Sequence, residues 1–288
     1  MNVRQHVFVC AVVVASSTCV AGGVSAAPTS AGTPMPKPTG PVPPPPPSLY
    51  GASKPNPIHW YKFNGDVKDA VAPGIDLKAY TGDAGPSWEA GKDGTKPGAI
   101  RGYGFVEGKN AFVYPSYTVE FTMWPQAFNG KANGECTSAD VFANAYGTPS
   151  GALGPFAGFN ESTEISVTGC GDTSADHGKV DVRSSLTDAS GKSFTAVTAT
   201  APLRSDMWHT VTVVFDGAAH KVTIAIDGSI ATSAPAAGAF FVGDPGKNRV
   251  FIGLSSHRGW IPGLVDEVKI YGSAVYPGGA TNMHSAVR

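Results

Sequence analysis

Carboxylates, a pair of cysteines and a few loop aromatics are the residues of this chain with chemistry to offer. Retaining glycoside hydrolysis needs two carboxylates about 5 to 5.5 Å apart across the scissile bond, and one strand presents such a pair only when acids alternate along it. Glu161 and Glu164 stand three apart, a spacing that in a regular strand sends them to opposite faces, and Glu120 has no second acid on its strand. There is no Gly-x-Ser-x-Gly elbow, no His-Glu-x-x-His helix and no phosphate-binding glycine loop, and the seven histidines are scattered. No catalytic residue is assigned, and the alternative to a binding protein is a glycan-active hydrolase or lyase with an acid pair of another pattern.

Sugar binding asks for aromatic faces together with groups that bond hydroxyls. The candidates are Trp88, Tyr103 and the run His257-Arg258-Gly259-Trp260. Asp266 has a different interest. Counted by strand parity it shares a side with Leu264, Val268 and Ile270, so its charge there needs hydrogen bonds or a cation. Asp172, Asp176 and His177 follow Cys170 at a spacing unlike an EF-hand loop and read as a solvated turn. Asn160-Glu161-Ser162 is an N-glycosylation acceptor pattern, meaningful in a eukaryotic secretory pathway.

Which of these residues survive in the mature chain depends on its start. Arg4 and His6 precede an apolar run over 7–15, and Val24-Ser25-Ala26 fits signal-peptidase cleavage after Ala26, so 1–26 reads as a signal peptide. The run is too short for a membrane span, which needs roughly 20 apolar residues, so no permanent membrane anchor is expected. Removing the leader discards Cys10 and Cys19. Cys136 and Cys170 remain, and in an oxidising compartment they are expected to form one disulfide, worth roughly 3 to 4 kcal/mol, with two free thiols as the alternative.

Residues 27–49 carry Pro34, Pro36, Pro38, Pro41 and then five consecutive prolines over 43–47. Such a segment favours extended polyproline II and reads as a stiff linker. The remainder, 50–288, alternates short apolar and polar runs with Gly, Asp and Asn turns, the pattern of an all-β domain. Tyr117, Val119, Phe121 and Met123 share one face of a strand and Thr118, Glu120 and Thr122 the other. Val211, Val213 and Phe215 alternate likewise, and so do Val222, Ile224 and Ile226 after the Asp216-Gly217-Ala218-Ala219 connection, before Asp227-Gly228 turns the chain again. Further strands are expected over 60–63, 111–114, 141–145, 164–168, 179–186, 194–200, 250–254 and 264–271. Eleven or more short antiparallel strands in one stretch predict two packed sheets, a β-sandwich with apolar inner faces and polar outer ones.

Three segments, in order, resemble the laminin-G-like, concanavalin A-like jelly roll. They are His59-Trp60-Tyr61-Lys62-Phe63-Asn64-Gly65-Asp66 with Asp69, Trp208-His209-Thr210-Val211-Thr212-Val213-Val214-Phe215-Asp216-Gly217, and Gly263-Leu264-Val265-Asp266-Glu267-Val268-Lys269-Ile270-Tyr271. The resemblance spans 58–275. It implies that the first and last segments pair as neighbouring strands, that the central one leads into a hairpin ending at Asp227-Gly228, and that Trp260 packs at the domain edge. It also implies a bias toward glycan or extracellular protein ligands and makes calcium a candidate cofactor. Asp66 and Asp69 would then approach Asp266 as metal ligands, with plain hydrogen bonding of Asp266 as the other reading.

A net charge of −1 with no basic cluster gives no reason to expect nucleic acid. The expectation is a secreted or cell-surface, non-catalytic recognition module for a carbohydrate or an extracellular protein. A structural coat or cell-wall protein is a further alternative.

Overall fold

The computed structural model describes residues 54–79, 87–101, 104–107, 114–125, 137–147, 159–169, 178–187, 193–204, 206–236, 238–240, 248–252 and 263–277. The chain divides into two units, Met1–Pro44 and Pro45–Arg288, and every described residue belongs to the second. No described residue lies in an α-helix. Cys136, Cys170, Tyr103, His257, Arg258 and Trp260 fall outside the described residues, as do the whole leader over 1–26 and the whole linker over 27–49.

In chain order the strands are β1 (His59–Tyr61), β2 (Lys78–Ala79), β3 (Ser87–Glu89), β4 (Ala99–Arg101), β5 (Gly104–Glu107), β6 (Tyr117–Pro125), β7 (Thr137–Gly147) and β8 (Phe159–Gly169). There follow β9 (Gly178–Thr187), β10 (Ser193–Leu203), β11 (His209–Asp216), β12 (Lys221–Ile226), β13 (Ser229–Pro235), β14 (Ala239–Phe240), β15 (Asn248–Ile252) and β16 (Gly263–Tyr271). They form two antiparallel sheets. The first runs β13-β12-β11-β6-β16-β4-β3, with β1 also on β16; the second runs β10-β9-β8-β7-β15-β5-β2, with β14 on β9.

The core lies between the sheets. β6 contributes Tyr117, Val119, Phe121 and Met123, β11 adds Val211, Val213 and Phe215, and the second sheet answers with Ile165, Val167, Val180 and Val182. The β6 and β11 residues are the alternating positions read from the sequence, and β-branched residues suit such positions because they pack well on a pleated surface. The Tyr117 and Phe215 rings stack with centroids 4.3 Å apart, and Phe240 meets Phe215 edge-on at 5.6 Å.

The pairing expected from the first and last motifs is present, with His59 opposite Ile270 and Tyr61 opposite Val268. The hairpin is present too: Val211 lies opposite Ile226 and Asp216 opposite Lys221. Asp227 and Gly228, with φ of 50° and 80°, make the two-residue turn into β13, a left-handed conformation that Asp tolerates and Gly favours.

Two of the register shifts upset counting by parity at the acids. In β16 the register steps between Val265 and Glu267, leaving Asp266 as an extra residue. Val265, Val268 and Ile270 enter the core cluster, and the parity count that put Asp266 on one side with Leu264, Val268 and Ile270 is corrected by this bulge. In β8, Ala145 faces Glu161 while Asn144 faces Thr163, so Ser162 is extra and the opposite-face argument for Glu161 and Glu164 does not carry through.

Candidate functional site

Each sheet has an outer face, and the two differ in what covers them. On the first sheet, Thr118, Glu120 and Thr122 of β6 alternate with the core residues, as expected, yet they too are buried. Flanking chain covers them. The Thr118 hydroxyl donates to the Ser273 carbonyl at 2.9 Å and accepts the Val275 amide at 2.8 Å. Lys54, upstream of β1, donates to both oxygens of Glu120 at 2.8 and 2.6 Å, and its ammonium stands 4.8 Å from the Tyr271 ring centroid. Burial lowers the Lys54 pKa, with the Glu120 carboxylate opposing the shift.

The same row continues sideways. Lys269 lies opposite Glu120 on one side and Trp60 on the other, and its ammonium bonds Glu267 at 2.7 Å. The Trp60 indole N–H donates to Glu267 at 2.8 Å, while Lys62 and Lys269 place ammonium groups 4.0 and 4.9 Å from the Trp60 rings. Such cation–ring contacts are each worth roughly 0.5–1 kcal/mol at half-exposed sites. This face is occupied by the protein's own chain. At one end of it Trp124 and Trp208, both half-buried, meet edge-on at 5.8 Å.

Along β9 the outer face of the second sheet presents Lys179, Asp181 and Arg183, with Thr200 and Pro202 beside them on β10 and Glu164 on β8. Arg183, Thr200 and Pro202 are exposed, and Lys179, Asp181 and Glu164 are half-buried. Glu164 lies opposite Arg183, Thr200 donates to Asp181 at 2.7 Å, and Lys179 approaches Asp181 at 3.4 Å. Alternate residues on a strand stand roughly 6.5–7 Å apart and neighbouring strands roughly 4.8 Å apart. The strip thus sets cationic donors, carboxylate acceptors and a hydroxyl on a grid at the scale of sugar hydroxyls.

The acids singled out as metal ligands are engaged separately. Asp69 is fully buried at its side chain. One oxygen accepts the Trp60 and Val71 amides at 2.9 and 3.0 Å; the other takes His59 Nδ1 at 2.6 Å and the Ile75 amide at 3.1 Å. Burial raises its pKa, but the Trp60 amide, His59 and the Val71 and Ile75 amides outweigh it, and the net shift is downward. Asp66 accepts the Lys68 amide at 3.2 Å on an exposed turn. Asp266 accepts the Lys92 amide at 2.6 Å, and a Cβ at Gly91 would stand 2.9 Å from the same oxygen. Burial pushes the Asp266 pKa up to about 6, the Lys92 amide opposing and the Glu267 and Asp93 charges adding to it. Among the described residues no three His, Cys, Asp or Glu side chains gather as a metal-holding group. Trp88, on β3 opposite Ile100, is half-buried and packs against the core.

A repeated device escaped the sequence reading. His209 Nδ1 meets Asp227 at 2.7 Å and the Thr210 amide donates to the other Asp227 oxygen at 2.9 Å, the same two bonds that His59 and Trp60 make to Asp69. In each case a histidine opening a strand and the amide that follows it are clasped by one carboxylate from a later turn. The adjoining His59-Trp60 and Trp208-His209 pairs were the visible signal.

Residues 160–278 match the family model described as the concanavalin A-like lectin/glucanases superfamily, of the laminin G type. The resemblance carried by the central and closing motifs thus holds over that part of the chain. No curated protein matches the chain. Among solved structures, domain 4 of AbnA, an extracellular arabinanase of Geobacillus stearothermophilus in complex with arabinotriose, is similar at 14% identity and a TM-score of 0.49, covering 79% of this chain and 97% of that one. The CBM40 of the Ruminococcus gnavus IT-sialidase, bound to sialyllactose, is similar at 13% identity and a TM-score of 0.39, over 57% of this chain and 79% of that one. The binding domain of Paraclostridial Mosquitocidal Protein 1 is similar at 14% identity and a TM-score of 0.46, over 77% and 50%.

Proposed function

We propose that this protein is a non-catalytic recognition module that binds a carbohydrate on the outer face of β8, β9 and β10. The observation that carries the reading is the contrast between the faces: one is roofed by Lys54, Ser273 and Val275, the other bears Lys179, Asp181, Arg183 and Thr200 in adjacent positions, with Arg183 and Thr200 exposed. The family description, which includes lectins, supports it. Export through the leader over 1–26 and display on the proline-rich linker over 27–49 belong to the same proposal, as does one disulfide between Cys136 and Cys170.

The test is binding of the purified chain to a polysaccharide array, with calcium and with EDTA, for the native protein and for Arg183→Ala and Asp181→Ala. Each substitution should weaken binding by about tenfold, the loss of one charge-assisted hydrogen bond. Loss in EDTA would add a calcium ion to the site. Binding that ignores both substitutions but is lost in a Trp124→Ala, Trp208→Ala double variant would move the site to the other sheet and overturn the placement.

One observation favours an enzymatic second reading. Glu164 faces Arg183 while Asp181 faces Ser166, so the two acids are diagonal neighbours on one face, with Cβ atoms about 7 Å apart. A glycan hydrolase built on them would release reducing ends and lose that activity in both Glu164→Gln and Asp181→Asn, with binding retained.

A further inference from the structure

An Asn or Asp followed by Gly can close on itself, because the glycine amide nitrogen can attack the side-chain carbonyl carbon and glycine, lacking a Cβ, leaves the approach open. Four such pairs lie among the described residues: Asn64-Gly65, Asp93-Gly94, Asp216-Gly217 and Asp227-Gly228. Hydrogen bonds hold three of them. The Gly94 amide donates to the Gly91 carbonyl at 2.9 Å while Asp93 accepts the Thr95 amide at 2.8 Å. The Gly217 amide donates to the Ser116 hydroxyl at 3.0 Å, and the buried Asp216 accepts the Tyr276 hydroxyl at 2.6 Å. Asp227 commits both carboxylate oxygens, one to His209 and one to the Thr210 amide. Asn64 and Gly65 differ. Both are exposed, on the bend that leaves β1, and among the described residues neither the Asn64 carboxamide nor the Gly65 amide has a hydrogen-bond partner.

We propose that Asn64 is a site of spontaneous deamidation that rebuilds the first turn of the sandwich. The Gly65 amide gives its proton to hydroxide and its nitrogen bonds to Asn64 Cγ, while the bond from Cγ to the carboxamide nitrogen breaks and that nitrogen leaves as ammonia, protonated by water. Water then opens the resulting five-membered imide. Attack at the side-chain carbonyl gives aspartate, and attack at the main-chain carbonyl gives isoaspartate, whose main chain runs through the former side chain and is longer by one atom. The turn has little slack for that atom. Phe63, just before it, is 1% exposed in the core cluster with φ of 51°, and Tyr61 and Asp69 bridge the two ends. A Cβ on Gly65 would already stand 3.0 Å from Pro97 Cγ. Either product also sets a new carboxylate beside the exposed Asp66.

The purified full chain is aged at mildly alkaline pH, folded and in urea, in water enriched in heavy oxygen so that each imide opening is marked, and its peptides are read by fragmentation in a mass spectrometer. Asn64 should convert to aspartate and isoaspartate, faster as pH rises, and folding should slow it by less than about tenfold, whereas it should slow isomerisation at Asp93, Asp216 and Asp227 by more than that. Asn64→Gln, which would need a six-membered ring, should lose the modification. The converted protein should melt below the fresh one, and Asn64→Asp, which carries the charge on a main chain of ordinary length, should stay close to the fresh one. An Asn64 that converts in urea but stays intact in the folded chain, or that folding protects as strongly as the three Asp-Gly pairs, would overturn the site. A converted chain with an unshifted melting midpoint would overturn its effect on the turn.

Discussion

Asp69 and Asp227 each clasp a histidine Nδ1 and the next amide, yet the first side chain is wholly buried and the second 45% exposed. The buried carboxylate has two further amides, from Val71 and Ile75, that the exposed one lacks. In both, burial raises the pKa and hydrogen bonds bring it below the ordinary carboxylate value. The comparison teaches that the same motif withdraws from water only as far as donors are supplied to replace it, because an ionised group without them would neutralise instead. Asp69 organises a loop tied to β1 by a single bridge, Tyr61 to Asp69; Asp227 sits on a tight hairpin turn that its neighbours already define.

The comparison breaks first at Asp69. Asp69→Ala strands three amides and a histidine in a closed site and should cost about 3–5 kcal/mol in denaturant unfolding. Asp227→Asn keeps a residue tolerant of the left-handed turn and should cost about 1 kcal/mol, since its site is half in water. Equal losses at the two positions would show that burial does not set the difference.

Acid titration sharpens the same point by sign. A carboxylate whose folded pKa is lowered contributes stability that is full above its unfolded value, 3.8, and is lost as pH falls through the folded value, so Asp69 and Asp227 drive acid unfolding. Asp266 behaves oppositely: raised to about 6, it contributes stability that is full below 3.8 and lost as pH rises through 6. Asp266→Asn should therefore gain on the native protein between pH 4 and pH 7, read from melting midpoints across that range. A variant whose midpoint tracks the native one across the range would mean that Asp266 ionises without penalty. The smallest effect expected is from Lys62→Ala, which removes one cation–ring contact on Trp60 for about 0.5 kcal/mol.

The sandwich was legible because its core strands alternate without interruption: Tyr117 to Met123 and Val211 to Phe215 state their inner face residue by residue. Asp227-Gly228 announced its turn for a steric reason that is local. What could not be counted was the bulge. One extra residue at Asp266 and another at Ser162 each reset parity, and a bulge is decided by the partner strand rather than by its own sequence. The clasp of Asp69 was hidden for a related reason. Its four donors come from residues 59, 60, 71 and 75, and only the folded loop brings them to one carboxylate. Trp88 looked available because loops and short edge strands read alike, whereas its pairing with β4 lays it against the core. The polar strip on β9 went unnoticed because Lys179, Asp181 and Arg183 alternate as any outward face would.

The Lys54–Glu120 ion pair has a mechanical meaning. Residues upstream of β1 are tied by it to β6, which is hydrogen-bonded on both sides, by β11 and by β16. Tension arriving along the chain from its N-terminal side would load this central strand before it strained the three-residue ladder of β1. The force would be shared with the ladders that β6 makes to β11 and β16 before it reached β1.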